Sequence, residues 1–560
     1  MSTDLKWLIE QGDDLFGKRT SLMAMWQEMA DQFYPERADF TASRSLGTDF
    51  AAHLTTSYPL TVRRDLGNSL GTMQRPSSID WFAMRTDHEE DEDQPAKAWM
   101  ERATGIMRRA MYHRSSQFQR ASKEGDHDIA TFGQCVKSVE LNRHADGLLY
   151  RCWHLRDCAW NENEDGAVGD MHRKWMPTAY ELQRIFGGMA LHANVRKLLE
   201  PGPARAPFTK INCRHVVIPA ELCPFDTYPG KGRAPFVSIY MDVENKHMIE
   251  CVGQVDNMYA VPRWQTVSGS QYAFSPATVC ALPDARLIQA MTLTLLEAGE
   301  KAVNPPMVAQ DQVVRGDVPL YAGGITWVDA DYDERLGDAV RPLSQDKSGL
   351  PFGMEMRDGL MAILREAFFL NTLTMPQNGP EMTAYEVGQR VQDYIRQAAP
   401  IFEPLEAEDN GAICEKTFNL MMRHGAFGSV EDIPQSIRGR EIGFKFKSPL
   451  HDAIDAQKGS KFFEASQILS QAVSLYPDAP AHLNFEVAFR DALTSAGMPA
   501  AWLNSETDAQ AIIEGNHQQE QAAALLQNIT AGAEAAKSVG EAAKSVGEAG
   551  QALGPEALAA

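Results

Sequence analysis

The residue patterns that could do covalent or metal chemistry are few, and each lacks a part that its chemistry needs. Gly67-Asn68-Ser69-Leu70-Gly71 has the spacing of a serine nucleophile elbow. That device needs a strand before the serine and a helix after it, so that the hydroxyl stands out on a sharp turn. Here the match lies inside a helical pattern from Thr55 to Met73, which disfavours catalysis. Gly12 to Lys18 has the spacing of a phosphate-binding loop, but Arg19 stands where the magnesium-binding hydroxyl belongs. Asp126-His127-Asp128 is the nearest approach to a metal set. Adjacent residues of a helix point in different directions, so joint ligation is not expected. Asp329, Asp331, Asp333 and Glu334 resemble half of a calcium loop without its glycine and closing glutamate, and read as a solvated acidic rim. The eight cysteines form no C-x-x-C pair and read as buried free thiols of a protein made in a reducing cytoplasm. No catalytic residue, metal site or cofactor is therefore expected.

At 560 residues, 44% hydrophobic and 23% charged, the chain has ordinary globular composition and room for several domains. No run reaches about 18 consecutive apolar residues, so no membrane span is expected, and the first residues lack the plan of a signal peptide. The formal net charge of −22 argues against a protein that grips nucleic acid by neutralising phosphates. It is compatible with a wall past which nucleic acid slides, because no strong ion pair must break at each step. It is equally compatible with acidity that merely aids solubility.

The elements follow from periodicity. Leu22, Met25, Trp26, Met29 and Phe33 share one helix face, and Pro35 ends that pattern. Trp26, Trp81 and Phe82 read as core. Helices are expected over 96–112, 118–132 and 178–186, and strands over 135–141, 148–154, 159–164, 167–173, 215–218, 236–241 and 245–252. A mixed helix-and-sheet region therefore spans about 1–275. Leu282 to Val303 reads as a helix with Pro283 in its first turn, stopped by Asn304-Pro305-Pro306. An irregular insert, Met307 to Gln345, carries a β-like run at Gly324 to Val328. A second helix follows at Phe352 to Leu370, then a breaker-rich loop, Asn371 to Met382. Thr383 opens a long helix with Glu386 as its capping-box partner, and Pro400 and Pro404 should kink it. Glu534 to Gly540 is repeated without change at Glu541 to Gly547. With glycine at every seventh position this tail is frayed alone, or a helical barrel when packed among neighbours.

This plan of helix, insert, helix, loop and kinked helix resembles the portal, or head-to-tail connector, family of short-tailed bacteriophages. The local matches are Arg75-Pro76 to Trp81-Phe82, Arg263-Trp264 with Gly269, Tyr272 and Ser275-Pro276, and Leu282-Pro283-Asp284. Met382 to Val387 and Ser448-Pro449-Leu450 complete them. The likeness runs from about Trp26 to Gln510. One departure is that Ala273 and Phe274 occupy a spot where the family usually has a basic residue.

The resemblance implies an α+β portal fold of wing, stem, clip and crown regions, assembled as a ring around a central channel. Its expected divisions are 1–280 for the N-terminal wing, 281–303 for the first stem helix, 304–349 for the clip and 350–370 for the second stem helix. Residues 371–383 become the tunnel loop, 384–425 a long kinked wing helix, 426–505 a C-terminal wing and crown, and 506–560 a helical crown tail. It implies a homo-oligomer, twelve subunits by family norm, at the capsid vertex of the virion. Implied partners are double-stranded DNA, the terminase large subunit, tail adaptor or nozzle proteins, and the major capsid and scaffolding proteins. Thr374, Met375, Gln377 and Asn378 would approach DNA, and Asp329, Asp331, Asp333 and Glu334 would face motor and tail. The competing reading is a hydrolase-like enzyme with a site assembled from distant residues of the N-terminal region, using Ser69.

Overall fold

The computed structural model describes residues 2–45, 47–76, 79–86, 93–309, 313–314, 327–329, 331, 333, 335, 338–343, 349–372, 396–397, 400–401 and 403–446, with isolated positions between 462 and 512. The chain divides into two compact units: Met1–Met84, Arg102–Val430 and Ile442–Gln457 in one, and Arg85–Glu101, Glu431–Glu441 and Lys458–Ala560 in the other.

In the first unit helices and antiparallel sheets are segregated, an α+β arrangement. Helices α1 (Ser2–Lys18), α2 (Thr20–Phe33) and α3 (Tyr58–Gln74) open the chain and α5 (Phe118–Phe132) comes later, while strand β1 (Phe82–Thr86) and helix α4 (Gln94–Met111) have residues in both units. A three-stranded sheet has the order β3-β2-β9, with β2 at Val136–Leu141, β3 at Leu148–Trp153 and β9 at Tyr259–Ala260. A five-stranded meander runs β4 (Cys158–Glu162), β5 (Val168–Trp175), β6 (Cys213–Pro219), β7 (Phe236–Asp242) and β8 (His247–Gln254), all antiparallel. The alternation that predicts these strands holds because each face has its own cover. Val216, Ile218, Val237 and Ile239 meet Leu5 and Leu8 of α1. On the other face the buried His215 stacks on Tyr240 at 4.0 Å and bonds Tyr259 Oη at 2.6 Å.

Local geometry ends and buries the expected elements. The expected helix 118–132 ends at Gly133 with φ 76°, and a Cβ there would strike the Phe274 backbone, so only glycine serves. Thr178 and Glu181 form a capping box at α6 (Ala179–Phe186), which is followed by α7 (Ala193–Leu199). Trp26, Trp81 and Phe82 are fully buried. Trp26 meets Phe40, Phe132 and Tyr272 at 5.6, 6.3 and 5.9 Å, and Trp81 stacks between Phe118 and Phe446, each at 6.3 Å.

In the second unit Asp93 caps the start of α4, accepting from Ala96 N at 2.9 Å and from Ser436 Oγ at 2.9 Å. Arg438 closes the neighbouring turn through the carbonyls of Ile433 and Glu431 at 2.7 and 3.2 Å.

Candidate functional site

Two antiparallel helices project from the core of the first unit. Helix α8 is Pro276–Val303, 28 residues, and α9 is Gly349–Ala367. The first begins six residues before the expected Leu282, because Ser275 caps it by accepting from Thr278 N and Pro276 occupies its first turn. Pro283 is therefore internal rather than in the first turn. Its missing N–H would have met the carbonyl of Val279, a residue exposed enough for water to substitute. The root of α8 is built of small residues, Ala277, Ala281 and Ala285, with Ile288, and packs against Leu66, Leu70, Leu360, Leu364 and Phe368.

Gln289 marks where the root ends. Its side chain accepts from Thr55 N at 2.8 Å and Thr56 N at 2.9 Å and donates to Thr56 O at 3.0 Å. Beyond it the helix pair stands largely on its own. Leu293, Leu296 and Val303 on one helix and Phe352, Met354 and Met356 on the other are exposed, Val303 by 88%. Gly353 lets the two helices close up, since a Cβ there would lie 2.7 Å from Leu295 Cδ2. Helix α8 is long and apolar enough to cross a membrane. Its root is nonetheless locked inside the protein core, so its outer half is better matched to other protein than to lipid.

The insert springs from the tips of these helices. Strands β10 (Met307–Ala309) and β11 (Val340–Pro342) pair antiparallel at its base. Further out, Val314 bridges Val328 and Asp329 N donates to Val313 O at 2.8 Å, which places the end of the expected β-like run. Asp331 and Asp333 are exposed and Asp329 is half-buried. Asp333 accepts from Arg335 N at 3.0 Å in a local turn. Glu334 lies outside the described residues, as do Thr374, Met375, Gln377 and Asn378 and the expected cap at Thr383. At the junction of α8 and insert, Glu297, Glu300, Lys301 and Asn304 line an open cleft of about 370 Å³ against Pro305 and Pro306.

The candidates for chemistry all turn out to hold the fold together. Ser69 sits mid-helix in α3, far from any strand-to-helix turn. The flanking glycines, four apart, let α3 lie close on α5: a Cβ at Gly67 would strike the His127 ring and one at Gly71 would lie 2.8 Å from Asp126 Oδ2. Asp126, His127 and Asp128 point in three directions, each to an arginine. Arg75 pairs with Asp126, Arg63 Nη1 is 3.0 Å from His127 Nδ1, and Arg37 binds Asp128 through two contacts at 2.6 and 3.1 Å. Burial, then the Arg63 charge, pushes His127 down to about 4. Among the described residues no three His, Cys, Asp or Glu side chains group as metal ligands would. Arg19, in the false phosphate loop, donates to the carbonyls of Leu155 and Cys158 at 2.6 and 2.5 Å and to that of Arg156.

Sequence reasoning missed one buried charge cluster. Residues 403–405 run helically into a π-helical turn, Glu406–Gly411, and then into α10 (Ala412–Arg423). The expected Pro400 and Pro404 irregularity is thus followed by an extra-residue turn. That turn aims Asp409 into the core, where it accepts from Lys137 Nζ at 2.8 Å and Arg75 Nη1 at 2.9 Å. Asn410 accepts from Arg75 at 2.6 Å. Burial alone would raise the Asp409 pKa; Lys137 and Arg75 together hold it below the usual carboxylate value. Arg263 reaches Glu408 and Glu162, and Trp264 Nε1 donates to Ile401 O at 3.0 Å. The signal was present, since Arg75 and Arg263-Trp264 belong to the stretches singled out by resemblance, but their partner lies over 130 residues away in sequence.

Against this geometry, a family model described as "Bacteriophage head to tail connecting protein" matches residues 6–503. A probable portal protein of Bordetella phage BPP-1 is 24% identical over 466 residues, covering 80% of each chain. The portal protein of Salmonella phage epsilon15 is 21% identical over 554 residues, covering 96% of this chain and 95% of its own. A chain from the virion of a native gene transfer agent particle aligns at 9% identity with TM-score 0.34, over 74% of this chain and 86% of that one, too loosely to carry an argument.

Proposed function

The chain belongs to the bacteriophage head-to-tail connecting protein family and serves as a phage portal protein, and on that premise we propose that it forms a closed ring of about twelve copies around a DNA channel. The supporting observation is the projecting pair α8 and α9. Beyond Gln289 both helices expose large apolar side chains that one chain leaves uncovered. A closed ring of such hairpins would cover each by its neighbour and leave no end copy uncovered. In this reading the ring sits at the capsid vertex of the virion, after synthesis in the host cytoplasm. It conducts double-stranded DNA in both directions and docks first the terminase large subunit and then tail adaptor or nozzle proteins. Major capsid and scaffolding proteins surround it. It catalyses no reaction of its own.

Two local roles belong to the same proposal. The acidic insert, with Asp329, Asp331, Asp333 and Glu334, presents a surface for basic segments of motor and tail. The loop 371–383, carrying Thr374, Met375, Gln377 and Asn378 and no Lys or Arg, brushes a moving duplex without gripping it. The Asp409 cluster would hold fast the helix that leaves this loop. Electron microscopy of purified protein tests the ring: closed rings with a central hole are expected, and only compact single subunits at micromolar concentration would overturn it.

A further inference from the structure

The segment from Met176 to Lys210 connects β5 to β6 and packs on Trp175, Cys213, Tyr240 and Ile249, and it carries a net positive charge. It holds Arg184, Arg196, Lys197, Arg205 and Lys210 against Glu181 and Glu200, in a chain whose net charge is −22. All five cations are exposed, and none makes an ion pair within the described residues. Glu181 is already spent in the α6 capping box.

Backbone hydrogen bonds gather these cations on one continuous strap. Ala206 N donates to Leu198 O at 2.9 Å, which places Arg205 beside the end of α7 with Arg196 and Lys197. Tyr180 N donates to Pro207 O at 2.9 Å, and Ala179 N to Thr209 O at 3.0 Å, which places Phe208 and Lys210 beside the start of α6. Tyr180 and Arg184 lie one turn apart on α6 and share a side of it. Along this band Phe208 is 78% exposed, Tyr180 51% and Met176 61%, while the residues beneath them, Ala179, Leu182 and Val195, are buried. Large apolar side chains therefore stand in solvent on a foundation that is already packed. They are not needed to close the segment's own core.

We propose that this strap is a docking surface for an acidic amphipathic helix of another protein. The charges fit glutamates and aspartates along the helix rim, and Tyr180, Phe208 and Met176 fit its apolar stripe. A nucleic-acid duplex would satisfy the cations but leave the three apolar side chains facing charged phosphates, so a protein segment is the better complement. The strap shares no residue with α8, α9 or the insert, and the proposal does not depend on ring formation.

The test uses the full chain and a fluorescent helical peptide with leucines on one face and glutamates on the other, followed by anisotropy. The expected result is saturable binding that weakens about tenfold in an Arg196→Glu, Lys197→Glu, Arg205→Glu variant and falls as salt rises. Phe208→Ser should weaken it separately, and thermal melting of both variants should match the parent, since all four residues are exposed. Equal binding by the parent and the charge-reversed chain would overturn the proposal. So would equal binding of a peptide whose leucines are replaced by serine, which would mark a charge effect alone, or displacement of the peptide by duplex DNA. A change in oligomeric state with unchanged peptide binding would reassign the strap to contact between copies of this chain.

Discussion

The two halves of α8 are one helix under two regimes. From Pro276 to Ile288 it is alanine-rich, capped by Ser275 and sunk into the core beside Leu66, Leu70 and Leu364. From Gln289 to Val303 it exposes Leu293, Leu296 and Val303, with Phe352 and Met356 of α9 equally uncovered. Both halves are apolar, so composition does not separate them. Burial does: an apolar side chain in the root stabilises the single chain, and one in the projecting half can act only when something else covers it.

The largest effect should come from the charges that lock the root's surroundings. Asp409→Asn removes the anion facing Lys137 and Arg75 and leaves two buried cations short of a partner. We expect a loss of about 3–5 kcal/mol in urea unfolding, with ring assembly failing only because the chain is unfolded. A smaller loss, nearer the cost of a surface ion pair, would show that water enters the cluster.

Ile288→Ala, at the last buried turn of α8, should cost about 2–5 kcal/mol by the same measurement. If it costs no more than a surface change, the division between root and projection lies earlier in the helix.

Acid should weaken the packed core of the first unit before it affects the projecting half of α8. Burial, then the charge of Arg63, lowers His127 to about 4, and burial, then Arg214, lowers His172 to about 3. Their folded values lie below the unfolded value of about 6.5. As pH falls below about 6.5 the unfolded chain binds protons that the folded chain refuses, so stability is complete above that pH and declines towards pH 3. The unfolding free energy from urea titration should fall between pH 7.5 and pH 5 by about 1–2 kcal/mol for each histidine, and the urea midpoint with it. An unchanged midpoint would mean that these rings are solvated.

The smallest effect on folding belongs to Leu296→Gln and Leu293→Gln, expected to change the stability of the single chain by no more than about 0.5 kcal/mol. A large loss in the dissociated chain would mean that the two side chains already pack within one subunit.

Much of this arrangement could be read from residue order. Helix 118–132, the helix near 178–186 and the meander from Cys158 to Gln254 each rest on signals within a few residues, where periodicity and turn chemistry act. The capping box at Thr178 goes unread, although its Thr and Glu stand three residues apart. Sequence reading places the start of α8 six residues late, with Pro283 as the first-turn proline, although Ser275-Pro276 carries the same N-cap and first-turn signal. The Asp409 cluster was missed for a different reason: period and spacing report which face of a helix is buried, never which distant arginine or lysine meets it. The five-residue match around Ser69 is rightly set aside for its helical setting, and what its glycines do instead, close packing of α3 on α5, shows only in three dimensions. Of the expected contact residues, Asp329, Asp331 and Asp333 are placed on the insert, whereas Glu334 and the loop residues Thr374, Met375, Gln377 and Asn378 fall outside the described part.

Native mass spectrometry of the parent beside a Leu293→Asp, Leu296→Asp variant tests the central claim most directly. The account predicts a single closed assembly of about twelve copies for the parent and free subunits with unchanged folding for the variant. Monomers and dimers alone for the parent at micromolar concentration, or an intact ring for the variant, would contradict it.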